Sequence, residues 1–178
     1  VLSANNALGK FGKLMRLILE NSEKQSILLA DEIEMLKLYV DLESMLFSFN
    51  FNLSVDPELD IENTSIPTMI IQPYVENAIK HGLSGLGSNR QLHISFQMQQ
   101  HVLRCTVLDN GIGRKMSEEI KSKHSKHKSM GTRLAYDRLK IINKQVISNV
   151  EVVIKDLVND EGMACGTLVE LSLPAVEE

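Results

Sequence analysis

The stretch "IIQPYVENAIKHGL", residues 70–83, decides how this chain is read. Ile70, Ile71, Tyr74, Val75, Ala78 and Ile79 recur at three- and four-residue steps, which predicts a helix with one buried face. Pro67 sits near the expected first turn, where a missing backbone donor costs little, and Gly82 sits where the helix should stop. Glu76, Asn77, Lys80 and His81 then gather on its last turns. Any one of them is ordinary on the wet face of an amphipathic helix. An acid, an amide and two nitrogen bases within six residues call for a look at what surrounds them.

Working outward toward the N-terminus, "FSFNFNLSV" alternates Phe47, Phe49, Phe51, Leu53 and Val55 with small polar residues, the period of a half-buried strand that ends at Asp56-Pro57. Before it, Leu8, Phe11, Leu14, Met15, Ile18 and Leu19 predict a helix over 1–21. Ile33, Leu36, Tyr39 and Val40 predict a second helix over 30–46, with Asp31, Glu32 and Glu34 in its first turn. The polar break "ENSEKQS" between them reads as the loop of a helical hairpin.

Toward the C-terminus, "LHISFQM" and "VLRCTVLD" are two alternating strands and form an expected hairpin. "NGIGR" breaks the second. Residues 114–130 are polar and lysine-rich, and "GTRLAYDRLKIINKQ" resumes helical spacing through Leu134, Arg138, Ile141 and Ile142. "VEVVIKDL" and "GTLVELSLP" are final strands joined through a turn at Gly162. The mixture predicts an α+β fold: a two-layer α/β sandwich, a mixed and mostly antiparallel sheet with helices on one face, preceded by a helical segment. The expected domains are 1–46 and 47–178.

Composition excludes several classes. A net charge of −4 gives no global attraction to nucleic acid or anionic membrane, so an anion site must be local. No apolar run is long enough to span a bilayer. Cys105 and Cys165 are too few and too far apart for a disulfide framework or a zinc site, which suits a reducing compartment. "KSKHSKHK" places four lysines and two histidines between Lys121 and Lys128, but no aromatic residue is interleaved for base stacking, so a solvated lid is the preferred reading.

Asp109 ends the apolar run "CTVLD", where a carboxylate is costly unless hydrogen-bonded. Asn110, Gly111 and Gly113 follow it and allow close approach of a flat ligand. Two readings stand: a turn acid, since Asp-Asn-Gly is a common turn, or an acceptor for the exocyclic amine of adenine, a position at which guanine presents an oxygen. Asn77 offers a neutral oxygen suited to Mg²⁺, and Lys80 a point charge for phosphate.

In order along the chain, "ENAIKHG" resembles the N box, "DNGIGR" the first glycine box, "SMGTRLAYDRL" a second glycine box and "GTLVEL" the final strand of GHKL-type ATP-binding domains. "LADEIEMLKLYVDLE" followed by "IPTMIIQPYVENAIKHGL" resembles the LytS-type subgroup of bacterial sensor histidine kinases. The resemblance spans nearly the whole chain. It implies a Bergerat-type fold that binds ATP with Mg²⁺ and transfers the γ-phosphate to a histidine, then to an aspartate of a response regulator receiver domain.

It further implies that Glu76 and Asn77 are catalytic, Glu76 as a base or as the carboxylate that orients the acceptor imidazole, with Asn77 also holding the metal. ATP would be bound by Asn77, Lys80, His81, Asp109, Gly111, Ile112, Gly113, Gly131, Thr132 and Thr167. The subgroup's acceptor histidine lies in an "NPHFLFN"-like stretch that these residues lack, so 1–46 is expected to be part of the dimerisation helices without it. The implied setting is the cytoplasmic domain of an inner-membrane-anchored sensor, homodimeric at full length, with no nucleic-acid partner. The second glycine box has a single glycine, which predicts weak lid closure. A nucleotide-binding signalling module without phosphotransfer is the alternative.

Overall fold

A computed structural model describes residues 2–100, 102–114, 116–117, 150–174 and 176–177. In chain order the elements are α1 (Leu2–Ser22), β1 (Ser26–Leu28), α2 (Leu29–Leu46), β2 (Asn50–Val55), β3 (Thr64–Pro67), α3 (Gln72–Asn77), a π-helical segment (Ala78–Gly82), a 3₁₀ turn (Leu83–Gly85), β4 (Gln91–Gln99), β5 (Val102–Asp109), β6 (Glu151–Val158), β7 (Ala164–Pro174) and β8 (Val176–Glu177). The chain divides into two compact units.

One unit comprises α1, β1, α2, β3 and β8. Its helices form the expected hairpin. Leu29, Ile33, Leu36 and Val40 recur on one stripe of α2 and are all buried, and Lys10 pairs with Asp41 at 2.6 Å while Lys13 pairs with Glu34, tying α1 to α2. The stretch between the helices is more than a loop, because Ser26–Leu28 pairs antiparallel with Thr64–Pro67, which in turn pairs with β8. Alternation could not reveal these strands: β1 has three residues, and Thr64, Ser65 and Ile66 are buried in succession.

The other unit is built on a five-stranded sheet of order β2-β4-β5-β7-β6. β2 runs parallel to β4, and every other neighbouring pair is antiparallel. This is the expected mixed, mostly antiparallel sheet. The predicted hairpin of β4 and β5 is present, and β6 and β7 are joined around Gly162, whose φ of +76° suits glycine. Alternation along the strands turns Leu92, Ile94 and Phe96, then Leu103, Cys105 and Val107, then Val169, Leu171 and Leu173 to one buried face.

Ile71, Val75, Ile79 and Leu83, four residues apart, are buried on the facing helical segment. Each such side chain contributes about 1.5–3 kcal/mol relative to exposure. One detail of the helix differs from the sequence expectation. Pro67 ends β3 instead of opening the helix, and Pro73 takes the first-turn position. The last turns of the helix are a π segment that ends at Gly82, without the left-handed backbone usual at a glycine stop. The Gly82 φ is −78°, and the chain continues into the 3₁₀ turn after that segment, in which the Leu83 N–H reaches the Ala78 carbonyl. Such widened turns are frequent at functional sites.

Candidate functional site

The inward face of the sheet changes character at one end. After Leu103, Cys105 and Val107, the next residue of the same parity on β5 is Asp109, only 4% exposed. Its register partner on β7 is Thr167, also buried. The Gly111 N–H donates to Asp109 Oδ1 at 2.8 Å, and the Thr167 backbone donates to the same carboxylate. Burial nonetheless pushes the Asp109 carboxyl up to about 6, against the pull of those two donors.

Glycine backbones enclose this acid. A β-carbon on Gly82 would lie 2.6 Å from Asp109 Oδ1, one on Gly166 would lie 2.1 Å from the Asp109 carbonyl oxygen, and one on Gly111 would lie 2.3 Å from the Gly82 carbonyl carbon. The Ile112 N–H donates to the Gly82 carbonyl at 3.1 Å, which docks the "DNGIG" turn onto the π segment. Asn110 secures the other side: its Oδ1 accepts from the Gln91 N–H at 2.8 Å and its Nδ2 donates to the Asn89 carbonyl at 2.7 Å. Gly113 has a φ of +75°, a backbone that disfavours a side chain. Asp109 is therefore an integral part of the interior and not a solvent-facing turn acid.

Asp109 faces a cavity of about 260 Å³. Asn77 and His81 from the helical segment, Gly113 from the turn and Thr167 from β7 share its lining. The remaining expected residues divide into three groups. Glu76 and Lys80 lie one helical turn apart, their charged groups separated by 3.9 Å, and the Gln72 amide donates to Glu76 at 3.1 Å. Gly111 and Ile112 pack behind the cavity against Gly82 and Gly85. Gly131, Thr132 and the "KSKHSKHK" stretch lie outside the described residues.

Sequence reasoning missed the cavity's apolar walls, Tyr74, Ala78, Val107, Ile154 and Val169, and two polar contributors, Arg114 and Ser117. Strand parity carried part of the signal, since Val107 and Val169 each stand two residues from a named site residue. Nothing local marks Arg114, whose guanidinium pairs with Asp156 across 42 residues at 2.8 Å for both nitrogens. Among the described residues no group of three or more His, Cys, Asp or Glu could hold a metal alone. Cys105 and Cys165 are both free thiols.

A family model described as histidine kinase matches residues 2–51. Over 110 residues the chain is 31% identical to the sensor protein LytS of Enterococcus faecalis, an alignment covering 62% of this chain and 19% of that protein. The chain is similar to the LytS sensor histidine kinases. It spans about a fifth of the length of the LytS proteins it matches, 19% for the Enterococcus protein.

Solved structures agree on the fold. The histidine kinase domain of the blue-light activated kinase of Erythrobacter litoralis superposes with a TM-score of 0.61 at 14% identity, covering 94% of this chain and 74% of that one. The histidine kinase ThkA, solved in complex with the response regulator TrrA, superposes with a TM-score of 0.51 at 16% identity over 96% of this chain and 48% of that one. The chain thus carries the α+β fold seen in these histidine kinase domains. No helix among the described residues is long and apolar enough to cross a membrane.

Proposed function

We propose that residues 47–178 are the ATP-binding catalytic domain of a sensor protein-histidine kinase, and that 1–46 are part of its dimerisation helices. The observation that carries the reading is Asp109, a buried acid locked by backbone donors and facing a cavity shared with Asn77, His81 and Thr167. A carboxylate with both backbone donors already satisfied still has acceptor capacity, and the exocyclic amine of adenine fits it. The cavity is just below the roughly 300 Å³ at which small-molecule pockets begin, a size suited to a flat base. Val107, Ile154 and Val169 supply apolar walls for its faces.

Asn77 would hold Mg²⁺, which neutralises charge on the transferring phosphate and needs few protein ligands because phosphate oxygens and waters complete its shell. Lys80 adds a point charge next to it. Glu76, held by the Gln72 amide, would orient the acceptor imidazole or take its proton. The γ-phosphate passes to a histidine outside these residues and then to an aspartate of a response regulator, the kind of partner TrrA is for ThkA. Homodimerisation and a membrane anchor belong to the full-length sensor in this reading.

The experiment is phosphotransfer from γ-labelled ATP in the longer protein that includes the acceptor histidine. Acid-labile label that is lost in Asn77→Ala and Glu76→Gln is expected. Saturable ATP binding with no label would favour a nucleotide-sensing module instead.

A further inference from the structure

Gly82 has an ordinary right-handed backbone, φ −78° and ψ −64°, which any residue adopts without strain. Conformation therefore does not call for glycine here. Space does: the three atoms nearest an added β-carbon all belong to the Asp109 side chain, Oδ1 at 2.6 Å, Cγ at 2.9 Å and Oδ2 at 3.2 Å. Neither partner can yield easily. The Gly82 carbonyl is tied to the Ile112 N–H at 3.1 Å, and the Gly111 backbone is pressed against the Gly82 carbonyl group. The carboxylate is tied to the Gly111 N–H at 2.8 Å, and the Asp109 backbone is packed so closely on Gly166 that a β-carbon there would lie 2.1 Å from the Asp109 carbonyl oxygen.

We propose that Gly82 is a positioning residue for base selection: its missing side chain leaves the space in which the Asp109 carboxylate keeps the orientation that faces the cavity. This rests on the reading of Asp109 as the acceptor for adenine. Any side chain at 82 turns the carboxylate out of line with an exocyclic amine, while the apolar walls and the phosphate-side residues stay as they are. The consequence is selective. Affinity that depends on the amine falls, and affinity that depends on stacking and phosphate does not.

The test compares ATP with purine riboside triphosphate, which differs only in lacking the 6-amino group, by calorimetric titration of the full chain and its Gly82→Ala variant. The unaltered chain is expected to prefer ATP by about tenfold or more, the scale of one hydrogen bond to a charged group. Gly82→Ala is expected to bring that ratio close to one through loss of ATP affinity alone.

An unchanged ratio, or equal losses for both nucleotides, overturns the inference while leaving ATP binding in place. Failure of the unaltered chain to bind either nucleotide overturns the adenine reading and this inference with it. Should Gly82→Ala not fold, Gly82→Ala combined with Asp109→Ala decides: recovery of a cooperative melt assigns the clash to the carboxylate, and continued unfolding overturns the proposal.

Discussion

Asp109 Oδ1 accepts the Gly111 N–H at 2.8 Å, yet its carboxyl titrates near 6 because burial outweighs the hydrogen bonds. The folded state thus holds this proton more tightly than the unfolded state, whose value is near 3.8. Stability is lost as pH rises from about 4 to about 7, and above that the cost is constant at about 3 kcal/mol. Asp109→Asn removes the charge and keeps an acceptor for Gly111. Its thermal midpoint is expected to exceed that of the unaltered chain at pH 8, by an amount worth about 1–3 kcal/mol, and to match it at pH 4. Thermal melts at the two pH values check this, and the same variant should lose ATP binding.

The same titration predicts the pH dependence of ATP affinity. On the proposed reading the ionised carboxylate accepts from the adenine amine and the protonated form would present a donor to it, so the dissociation constant should rise as pH falls through about 6. The slope is at most about tenfold per pH unit. Calorimetry in matched buffers from pH 5 to 8 measures it.

Arg114 joins Asp156 by two parallel bonds at 2.8 Å, fixing the residue after the glycine turn to β6 at the rim of the cavity. The side chains are 49% and 34% exposed, so solvent screens the pair and its contribution to stability is about 0.5–1 kcal/mol. Arg114→Ala is expected to weaken ATP binding severalfold with little change in melting. The swapped pair, Arg114→Asp with Asp156→Arg, should recover part of that affinity, and a double-mutant cycle on the dissociation constants measures the coupling.

On α1, Leu8, Phe11 and Leu19 are 70, 52 and 66% exposed, while Leu14 is buried. On the proposed reading of α1 as part of the dimerisation helices, an apolar face of this kind is expected to associate with a second copy of the chain. Phe11→Asp should shift its sedimentation toward monomer without affecting nucleotide binding, because Phe11 and the cavity belong to different compact units.

Much of the fold was legible because period and parity survive in single segments. The stripe Ile71, Val75, Ile79, Leu83 marks the helix layer, and the alternation in "LHISFQM" and "VLRCTVLD" marks the central strands and their buried face. β1 and β3 were not legible: three- and four-residue strands carry no period, and their pairing partner lies some forty residues away. Gly82 reads locally as a stop signal and does end the π segment, but its closeness to Asp109, 27 residues later in the chain, shows only in the fold. The site shows the same division. Asp109 and Asn77 stand out by residue type in context. Arg114–Asp156 and the glycine enclosure exist only once distant strands meet.

The central claim is that Asp109 recognises the base of a nucleotide. Titrating the chain with ATP and Mg²⁺, in parallel with Asp109→Asn and Asn77→Ala, tests it most directly. Saturable one-site binding, abolished by Asp109→Asn and stripped of its Mg²⁺ dependence by Asn77→Ala, is the predicted result. Binding that survives Asp109→Asn undiminished, or no binding by the folded unaltered chain, would contradict it.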